Sequence, residues 1–402
     1  MNRWAILAIA WFGWVFDVAD TALFNFAKVP MLTEMLGAEG YAKNGARIEG
    51  QIQALFLVGW AIGGLVFGVA ADRWGRTRTL VATVLLYCLC TGLTALCHTP
   101  EQVAAARFLT ALGIGGEWAA GAALVAEAFS DSGRSMASSV LQTAAAFGPM
   151  LAATGNWVLA GKPWQWLFLL GIFPALICVV LRMGAHDPKP VARDGRAPLA
   201  EVFGSAEWRR AIVAMVIGAV GITGAGTATY WAPNLVKEAS IGLAKAAVDA
   251  RTSEVTIVSH LGTLLGVFVA PWLCSRIGRR TTIGAFYVAA PVSVALAIWG
   301  GASFERLLVF LPLVNFCCIG VSAAFVLYFP ELFPSRIRAT GAGLAYNFGR
   351  VLAIPMPMVT AWAIGHFGGS VASGVLLSGG VYVIGLAALP FAPETKGQAL
   401  LA

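Results

Sequence analysis

Apolar segments of about 20 residues, separated by short polar connectors, recur along the 402-residue chain. A helix needs about 20 such residues to cross the hydrocarbon core of a bilayer. Hydropathy places twelve of them at residues 4–30, 51–71, 79–97, 101–126, 136–159, 165–183, 209–232, 252–274, 282–300, 306–328, 339–363 and 371–391. The sequence therefore predicts an all-α, multi-pass membrane protein with twelve transmembrane helices.

The composition supports this interpretation and excludes other classes. Hydrophobic residues make up 58% of the chain and charged residues 12%, whereas soluble domains carry about 25% charged residues. A soluble enzyme, a coiled coil and a disordered chain are thereby excluded, and a β-barrel would show short alternating segments. The net charge of +7 does not indicate a nucleic-acid partner, because the basic residues recur in short clusters between apolar segments. We expect the chain to reside in the cell (inner or plasma) membrane.

Neither metal binding nor catalysis is indicated by the side chains present. The seven cysteines lie almost wholly inside apolar segments and lack metal-ligand spacing, so they are interpreted as small buried hydrophobic residues. The sequence contains no P-loop, zinc cluster or nucleophile constellation. We expect no metal, no cofactor and no enzymatic activity.

The longest polar stretch, His186 to Glu207, divides the apolar segments into two sets of six. We predict an N-terminal six-helix bundle over 1–183, a cytoplasmic linker over 184–208 and a C-terminal six-helix bundle over 209–402. Seventeen lysines and arginines lie on the linker's side of the membrane, seven on the other side and three within segments. The positive-inside rule therefore places the linker and both termini in the cytoplasm.

The connectors of the two halves carry matching charges at matching spacing. D-R-x-G-R occupies 72–76 after the second segment, and S-R-x-G-R occupies 275–279 after the eighth. Glu127 precedes Arg134 by seven residues, and Glu331 precedes Arg338 by the same interval. This internal repeat predicts two pseudo-symmetric bundles that rock about a site at their interface.

These motifs resemble those of the major facilitator superfamily. Further matches are R-x-x-x-A-x-G-x-G at 107–115, Y-F-P-E-L-F-P at 328–334, R-A-T-G at 338–341 and P-E-T-K-G at 393–397. The resemblance implies a monomeric secondary transporter that works by alternating access. It also implies that charged connector residues close the cytoplasmic face, and the candidate gating residues are Asp72, Arg73, Arg76, Glu127, Arg134, Arg276, Glu331 and Arg338.

Charged residues within apolar segments are functional candidates, because burying each is costly. Asp17 and Asp20 share one helix face, and Arg107 is their counter-charge at membrane depth. Asp20-Thr21 resembles the Asp-Thr of proton-linked sugar porters, and the D-x-x-D spacing resembles that of aromatic-acid and sialate/lactate-type proton symporters. We interpret Asp17, Asp20 and Arg107 as proton-coupling residues, with a static ion pair as the alternative. Glu117 is a second proton site or an ordinary ion-pair partner.

Arg350 has no carboxylate in its own segment and lies beside Tyr346 and Asn347. A guanidinium facing a central cavity can hold a substrate carboxylate through two parallel hydrogen bonds. The alternative is a protein-packed arginine that donates to a carbonyl. The full set of predicted substrate-binding residues is Arg107, Gln142, Tyr230, Asn315, Tyr346, Asn347 and Arg350. His260 is interpreted as a core residue.

The predicted function is proton-coupled symport of a small organic anion, such as a monocarboxylate or a related metabolite. The expected partners are this small molecule, protons and the lipid bilayer. The alternative is a carrier of an organic cation, polyol or sugar that uses Asp17, Asp20 and Glu117 as substrate ligands. The paired glutamines that hexose porters carry in the seventh segment are absent here, which disfavours hexoses.

Overall fold

The computed structural model describes residues 3–74, 76–128, 137, 139–172, 208–299, 303–334, 338–367 and 370–398. In the N-terminal half, the helices are α1 (Arg3–Trp74), α2 (Arg76–Thr94), α3 (Pro100–Ala128) and α4 (Ala144–Val158). Residues 139–142 and 165–172 are also helical.

In the C-terminal half, the helices are α5 (Trp208–Glu238), α6 (Lys245–Ile277), α7 (Arg279–Ile298), α8 (Phe304–Cys318), α9 (Val321–Glu331), α10 (Arg338–Ala353), α11 (Met356–His366), α12 (Val371–Ser378) and α13 (Val381–Ala388). A 3₁₀ turn, Leu389–Phe391, follows. Among the described residues of this half, six helices are long and apolar enough to cross a membrane when α8–α9, α10–α11 and α12–α13 each count as one. They coincide with the six segments predicted for this half.

A single long element, α1, contains both the first and the second predicted segments. The chain reverses within it at Gly37, whose φ of 73° and ψ of 163° are non-helical and suit a residue without a Cβ. The polar connector after Gly37 is helical rather than irregular. Its Gly45 and Glu49, one turn apart, face inward while Lys43 is exposed, and this amphipathic pattern stabilises a helix against the bundle.

Small residues set the packing of α1 on α3. A Cβ at Gly59 would lie 2.5 Å from the carbonyl oxygen of Phe108, and one at Gly63 would clash with the carbonyl oxygen of Leu112. The two helix backbones are therefore in direct contact along this G-x-x-x-G face. This packing keeps the second half of α1 and α3 together as one unit.

The two halves meet along two seams. Helix α1 contacts α5, α10 and α11, and α4 contacts α6. The central site lies between these seams, so side chains from both halves line it. The domain boundaries given above remain a prediction, and residues 184–207 of the predicted linker lie outside the described residues.

Candidate functional site

Two adjoining cavities lie between the halves. The larger, of about 240 Å³, is lined by Arg350 and by the aromatic rings of Trp14, Trp60, Tyr230, Trp231 and Tyr346; we call it the arginine cavity. The smaller, of about 200 Å³, is lined by Asn25, His260 and Asn315; we call it the histidine cavity. The two cavities share wall residues, which are Thr21, Asn25, Ala145, Ala225, Gly226, Thr229 and Ile319. They therefore form adjacent lobes of one central site.

Arg350 projects from α10 into the wall of the arginine cavity and is only 8% exposed. Its Nη1 donates to Oδ1 of Asn347 at 2.7 Å. Its guanidinium carbon lies 4.5 Å from the ring centroid of Trp60 and 4.9 Å from that of Tyr346. Because Trp60 belongs to the N-terminal half, this cation–π contact holds Arg350 at the seam between the halves.

The structure brings most of the predicted substrate-binding residues together. Arg350, Tyr346, Gln142 and Tyr230 line the arginine cavity, and Asn315 lines the histidine cavity. Asn347 is exposed and contacts Arg350 from outside the cavity lining. Arg107 lines neither cavity, because its guanidinium is directed at Asp20. Among the described residues that line the two cavities, Arg350 is the only charged one.

Asp20 and Arg107 form a buried ion pair within the N-terminal half. Nη1 of Arg107 lies 2.9 Å from Oδ2 of Asp20, and the side chains are 1% and 3% exposed, respectively. The hydroxyl of Thr91 donates to the other carboxylate oxygen at 2.6 Å. The Arg107 guanidinium lies between Phe24 and Phe56, 4.7 Å from each ring centroid. Helices α1, α2 and α3 therefore hold this pair away from water.

Asp17 lies one turn before Asp20 and is also buried, at 3% exposure. Its backbone oxygen accepts a hydrogen bond from the hydroxyl of Thr21 at 3.2 Å. Neither aspartate lines a cavity. The two carboxylates thus lie beside the central site rather than in its wall.

A second buried ion pair, which was not predicted from the sequence, lies within α1 and is hydrogen-bonded to the C-terminal half at one end of the molecule. Nζ of Lys28 lies 3.2 Å from Oε2 of Glu49, and both side chains are 0% exposed. Lys28 also donates to the carbonyl oxygen of Tyr230 at 2.7 Å and lies 3.2 Å from the centroid of that ring. The Tyr230 hydroxyl donates to the carbonyl oxygen of Glu49 at 2.8 Å, and Asn234 Nδ2 donates to Oε2 of Glu49 at 3.0 Å.

Other hydrogen bonds join the halves near the same end. Nδ2 of Asn156 donates to Oγ of Ser253 at 2.8 Å, and Nζ of Lys237 donates to the carbonyl oxygen of Phe26 at 3.0 Å. The backbone N–H of Gly161 donates to Oδ2 of Asp249 at 3.2 Å. We call this region the interlocked end; it comprises Phe26, Lys28, Glu49, Asn156, Gly161, Tyr230, Asn234, Lys237, Asp249 and Ser253. Separating the halves here would break each of the hydrogen bonds that join them.

A cluster of charges at the other end of the C-terminal half contains one of the predicted gating residues in an ion pair. Arg279 donates to both carboxylate oxygens of Glu331, at 2.7 and 3.0 Å, and Thr395 Oγ1 donates to Glu331 Oε2 at 2.5 Å. The seven-residue spacing also predicts a pairing of Glu331 with Arg338, whose side chain lies outside the described residues. Arg276 is exposed and lies against the ring of Trp272, 5.9 Å from its centroid.

Glu394 belongs to the same cluster and accepts four backbone hydrogen bonds. The donors are the N–H groups of Arg279, Arg280, Thr395 and Lys396, at 2.9 to 3.1 Å. Burial raises the pKa of Glu394, but these hydrogen bonds outweigh the burial and hold the pKa below its ordinary value of 4.5. The carboxylate thus remains ionised and fixes the chain that follows α13.

The remaining predicted site residues fall outside the description. Arg134 lies outside the described residues, and so do the side chains of Asp72, Arg73, Arg76, Glu117, Glu127 and Arg338. Their roles stay predictions.

Comparison with known proteins agrees with the motifs. The chain is 32% identical over 404 residues to a probable 4-methylmuconolactone transporter of Cupriavidus pinatubonensis, covering 96% of this chain and 90% of that protein. It is 25% identical over 403 residues to a niacin transporter of Acinetobacter baylyi, covering 91% and 88%. The structure superposes on the crystal structure of a D-xylose–proton symporter with a TM-score of 0.74 over the whole of both chains, at 20% sequence identity. This likeness supports the twelve-helix fold.

The family model described as Major Facilitator Superfamily matches residues 10–357. With the relatives above, this match confirms the prediction of a multi-pass membrane transporter that is not an enzyme. The chain belongs to the Major Facilitator Superfamily, as the order and spacing of its loop motifs predicted.

Proposed function

We propose that this protein is a proton-coupled symporter of a small organic anion, working as a monomer in the bacterial inner membrane. The two halves rock about the central site and expose it alternately to each side. The termini and the linker lie in the cytoplasm, as the distribution of lysine and arginine favours.

The buried position of Arg350 carries the proposal. A guanidinium at membrane depth is costly, and such residues mark functional sites. Here it lies in a cavity wall between two aromatic rings, in a lining whose other described members are uncharged. Its planar fork of donors matches a carboxylate. A substrate carboxylate in the arginine cavity would neutralise the charge, and the surrounding rings suit a flat, unsaturated or aromatic body.

The names of the two relatives support the same class of substrate. Niacin is a carboxylic acid with an aromatic ring, and a muconolactone is an unsaturated cyclic acid. Both relatives match this chain over about nine-tenths of its length or more. A compact organic acid is therefore the substrate class favoured here as well.

Proton coupling is assigned to Asp20 and Arg107. Asp20 carries a charge that Arg107 and Thr91 stabilise through hydrogen bonds at 2.9 and 2.6 Å. Protonation of Asp20 would remove that charge and release Arg107 to another partner. Because the pair lies beside the cavity and not in its wall, a proton on Asp20 acts through the packing of α1 rather than by contact with the substrate.

The interlocked end supports a gate on the side opposite the linker. Its residues belong to the connectors and helix ends that the positive-inside rule places outside the cytoplasm. In this conformation the halves are joined there through Lys28, Glu49 and Tyr230. We assign the interlocked end as the outer gate in its closed state.

The alternative, a carrier of an organic cation, polyol or sugar, would use the carboxylates of Asp17, Asp20 and Glu117 as substrate ligands. Asp17 and Asp20 are not among the described residues that line either cavity, and the side chain of Glu117 lies outside the described residues. Asp20 is also held by Arg107.

The test is uptake of a labelled carboxylate panel into proteoliposomes with and without an inward proton gradient. The panel should include monocarboxylates with aromatic and unsaturated bodies, and the protein should be compared with Arg350→Ala and with Arg209→Ala, an exposed arginine at the start of α5. We expect gradient-stimulated uptake of at least one acid. Arg350→Ala should raise its KM by about ten-fold or more, since a charge-assisted bidentate contact is lost.

Arg209→Ala should transport as the wild type does. Absence of uptake for every acid, together with uptake of a cation or polyol, would overturn the anion assignment. An unchanged KM in Arg350→Ala would remove Arg350 from the binding site.

A further inference from the structure

The histidine cavity contains polar atoms that no described residue satisfies. Oδ1 of Asn25, Nε2 of His260 and Nδ2 of Asn315 are buried without a hydrogen-bond partner in the described part of the protein. The three side chains are 8%, 4% and 3% exposed, and all three line the cavity. A buried polar group without a partner costs free energy, so three around one cavity indicate a ligand that carries a hydrogen-bonding group.

The hydroxyl groups in the same wall behave differently. Thr256 donates to the carbonyl oxygen of Thr252 at 2.8 Å, Ser259 to that of Thr256 at 2.9 Å and Thr229 to that of Ala225 at 2.9 Å. Each hydroxyl bonds within its own helix, as is usual for serine and threonine. The lack of partners is therefore particular to the two amides and the imidazole.

The hydrogen bond that Nδ1 of His260 makes determines whether Nε2 is a donor or an acceptor. Nδ1 lies 2.8 Å from the carbonyl oxygen of Thr256, which can only accept, so Nδ1 carries the proton. In the neutral ring, Nε2 then presents a lone pair to the cavity. The lobe therefore offers two acceptors, Nε2 of His260 and Oδ1 of Asn25, and one donor, Nδ2 of Asn315.

We propose that the histidine cavity binds a hydroxyl group on the substrate, remote from the carboxylate that Arg350 holds, and selects hydroxylated organic acids over their deoxy analogues. A hydroxyl has one donor and two acceptor lone pairs, so it donates to His260 or Asn25 and accepts from Asn315. The two cavities share a wall, so one compact molecule reaches both. This inference rests on the proposed anion transport for the position of the carboxylate.

The selectivity follows from the burial of the lobe. A deoxy analogue that fills the same space would leave all three polar atoms without partners, and a site built around hydrogen bonds rejects such an analogue strongly. Loss of one such buried contact corresponds to about ten-fold or more in affinity.

The experiment measures dissociation constants by titration calorimetry on the purified full-length protein. The probes are two matched series, namely benzoate with its 3- and 4-hydroxy derivatives, and 3-phenylpropionate with its ring-hydroxylated derivatives. The variants are His260→Phe, which removes the acceptor, His260→Gln, which restores one, and Asn315→Leu, which removes the donor. His366→Phe is the control, because His366 ends α11 and stacks on Trp362 outside both cavities.

In the wild type, at least one hydroxylated acid should bind about ten-fold or more tightly than its parent. His260→Phe and Asn315→Leu should each abolish that preference while keeping the affinity for the parent acid, which also shows that the variant is folded. His260→Gln should recover part of the preference, and His366→Phe should retain all of it. Three different replacements keep the test open if one of the variants fails to fold.

Equal affinity for hydroxylated and parent acids, or a preference that survives in His260→Phe and Asn315→Leu, would overturn this inference and leave anion binding at Arg350 intact. If neither series binds the wild type, while a cation or polyol does, the proposed function fails and this inference fails with it.

Discussion

Among the described residues, α1 helps to form two buried ion pairs that differ in what surrounds them. Asp20–Arg107 lies inside the N-terminal half, where its other neighbours are Thr91, Phe24 and Phe56. Lys28–Glu49 is just as buried but is bonded to Tyr230 and Asn234 of the C-terminal half. The first pair can persist while the halves move, whereas the second must lose its partners when that end opens.

This difference indicates that the two ion pairs of α1 have different roles in transport. A pair that is independent of the halves' separation can respond to a proton. A pair bonded to the opposite half biases the equilibrium between two conformations, since its contacts exist in only one of them. The two pairs are equally buried, so burial does not distinguish their roles. The roles differ because the residues around one pair belong to the same half and those around the other belong to the opposite half.

The largest expected effect is from Asp20→Asn, which tests the first pair. Asparagine keeps the size of the side chain but cannot exchange a proton, so accumulation driven by a proton gradient should be abolished. Counterflow exchange should remain, because exchange needs no net proton movement. Thr91→Val, which removes the 2.6 Å hydrogen bond to Asp20 without changing charge, should keep accumulation, because the carboxyl group of Asp20 is retained. Full accumulation in Asp20→Asn would contradict the coupling role.

The second pair is tested by comparing single and double replacements. Lys28→Met leaves the Glu49 carboxylate buried without its cation and should lower stability by about 3–5 kcal/mol. The double variant Lys28→Met/Glu49→Gln removes both charges and should recover most of that loss. Thermal unfolding of the purified proteins gives the measurement, with Lys43→Met, an exposed lysine in the same connector, as the control. If the separate effects of Lys28→Met and Glu49→Gln add up to the effect of the double variant, the two side chains are not coupled.

A smaller effect is expected from Tyr230→Phe, which cuts one bond between the halves. The hydroxyl's 2.8 Å bond to the Glu49 carbonyl is lost, at about 0.5–1.5 kcal/mol, while the ring beneath Lys28 stays. Hydrogen–deuterium exchange should rise at residues 28–49 and 230–240. Tyr287→Phe removes a similar tyrosine-to-carbonyl bond, to Ile217 within one half, and should leave exchange at the interlocked end unchanged. Equal increases in both variants would argue against a gate.

The smallest effect concerns Glu394, a partly exposed carboxylate whose contribution to stability can be compared with that of the buried ion pairs. Its pKa is held below the ordinary 4.5, so it stabilises the native state above that pH. The contribution is lost as the pH falls through the native pKa. Because the group is partly exposed, we expect less than about 1 kcal/mol. The wild type should melt at a higher temperature than Glu394→Gln at pH 5, and this difference should decrease as the pH is lowered to 3. A difference that stays constant would contradict the assignment.

The fold was predictable because apolar length and loop motifs are local signals. The six predicted segments of the C-terminal half coincide with six apolar helices. The Asp20–Arg107 pair was also predictable, since two opposite charges inside apolar segments need partners. Residues 38–50 were harder, because an amphipathic connector lacks the continuous apolar run that marks a span.

The missed residues share a physical reason. Lys28 lies near the end of the first predicted segment and Glu49 in the connector before the second, where charged side chains ordinarily reach water. The reversal at Gly37 brings them together. His260 was interpreted as a core residue; it is buried, but it also lines the histidine cavity and its Nε2 has no hydrogen-bond partner among the described residues. One histidine in an apolar segment carries no periodic signal. The facing Asn25 and Asn315 come from α1 and α8, which are close only in the folded protein.

The most direct test of coupled anion transport is to record external pH while an organic acid enters wild-type proteoliposomes down its own gradient. Symport predicts that the weakly buffered external medium becomes more alkaline in step with uptake of the labelled acid, after subtraction of protein-free liposomes. Asp20→Asn should remove this alkalinisation. Uptake of the acid at full rate with no movement of protons in the wild type would contradict proton-coupled transport.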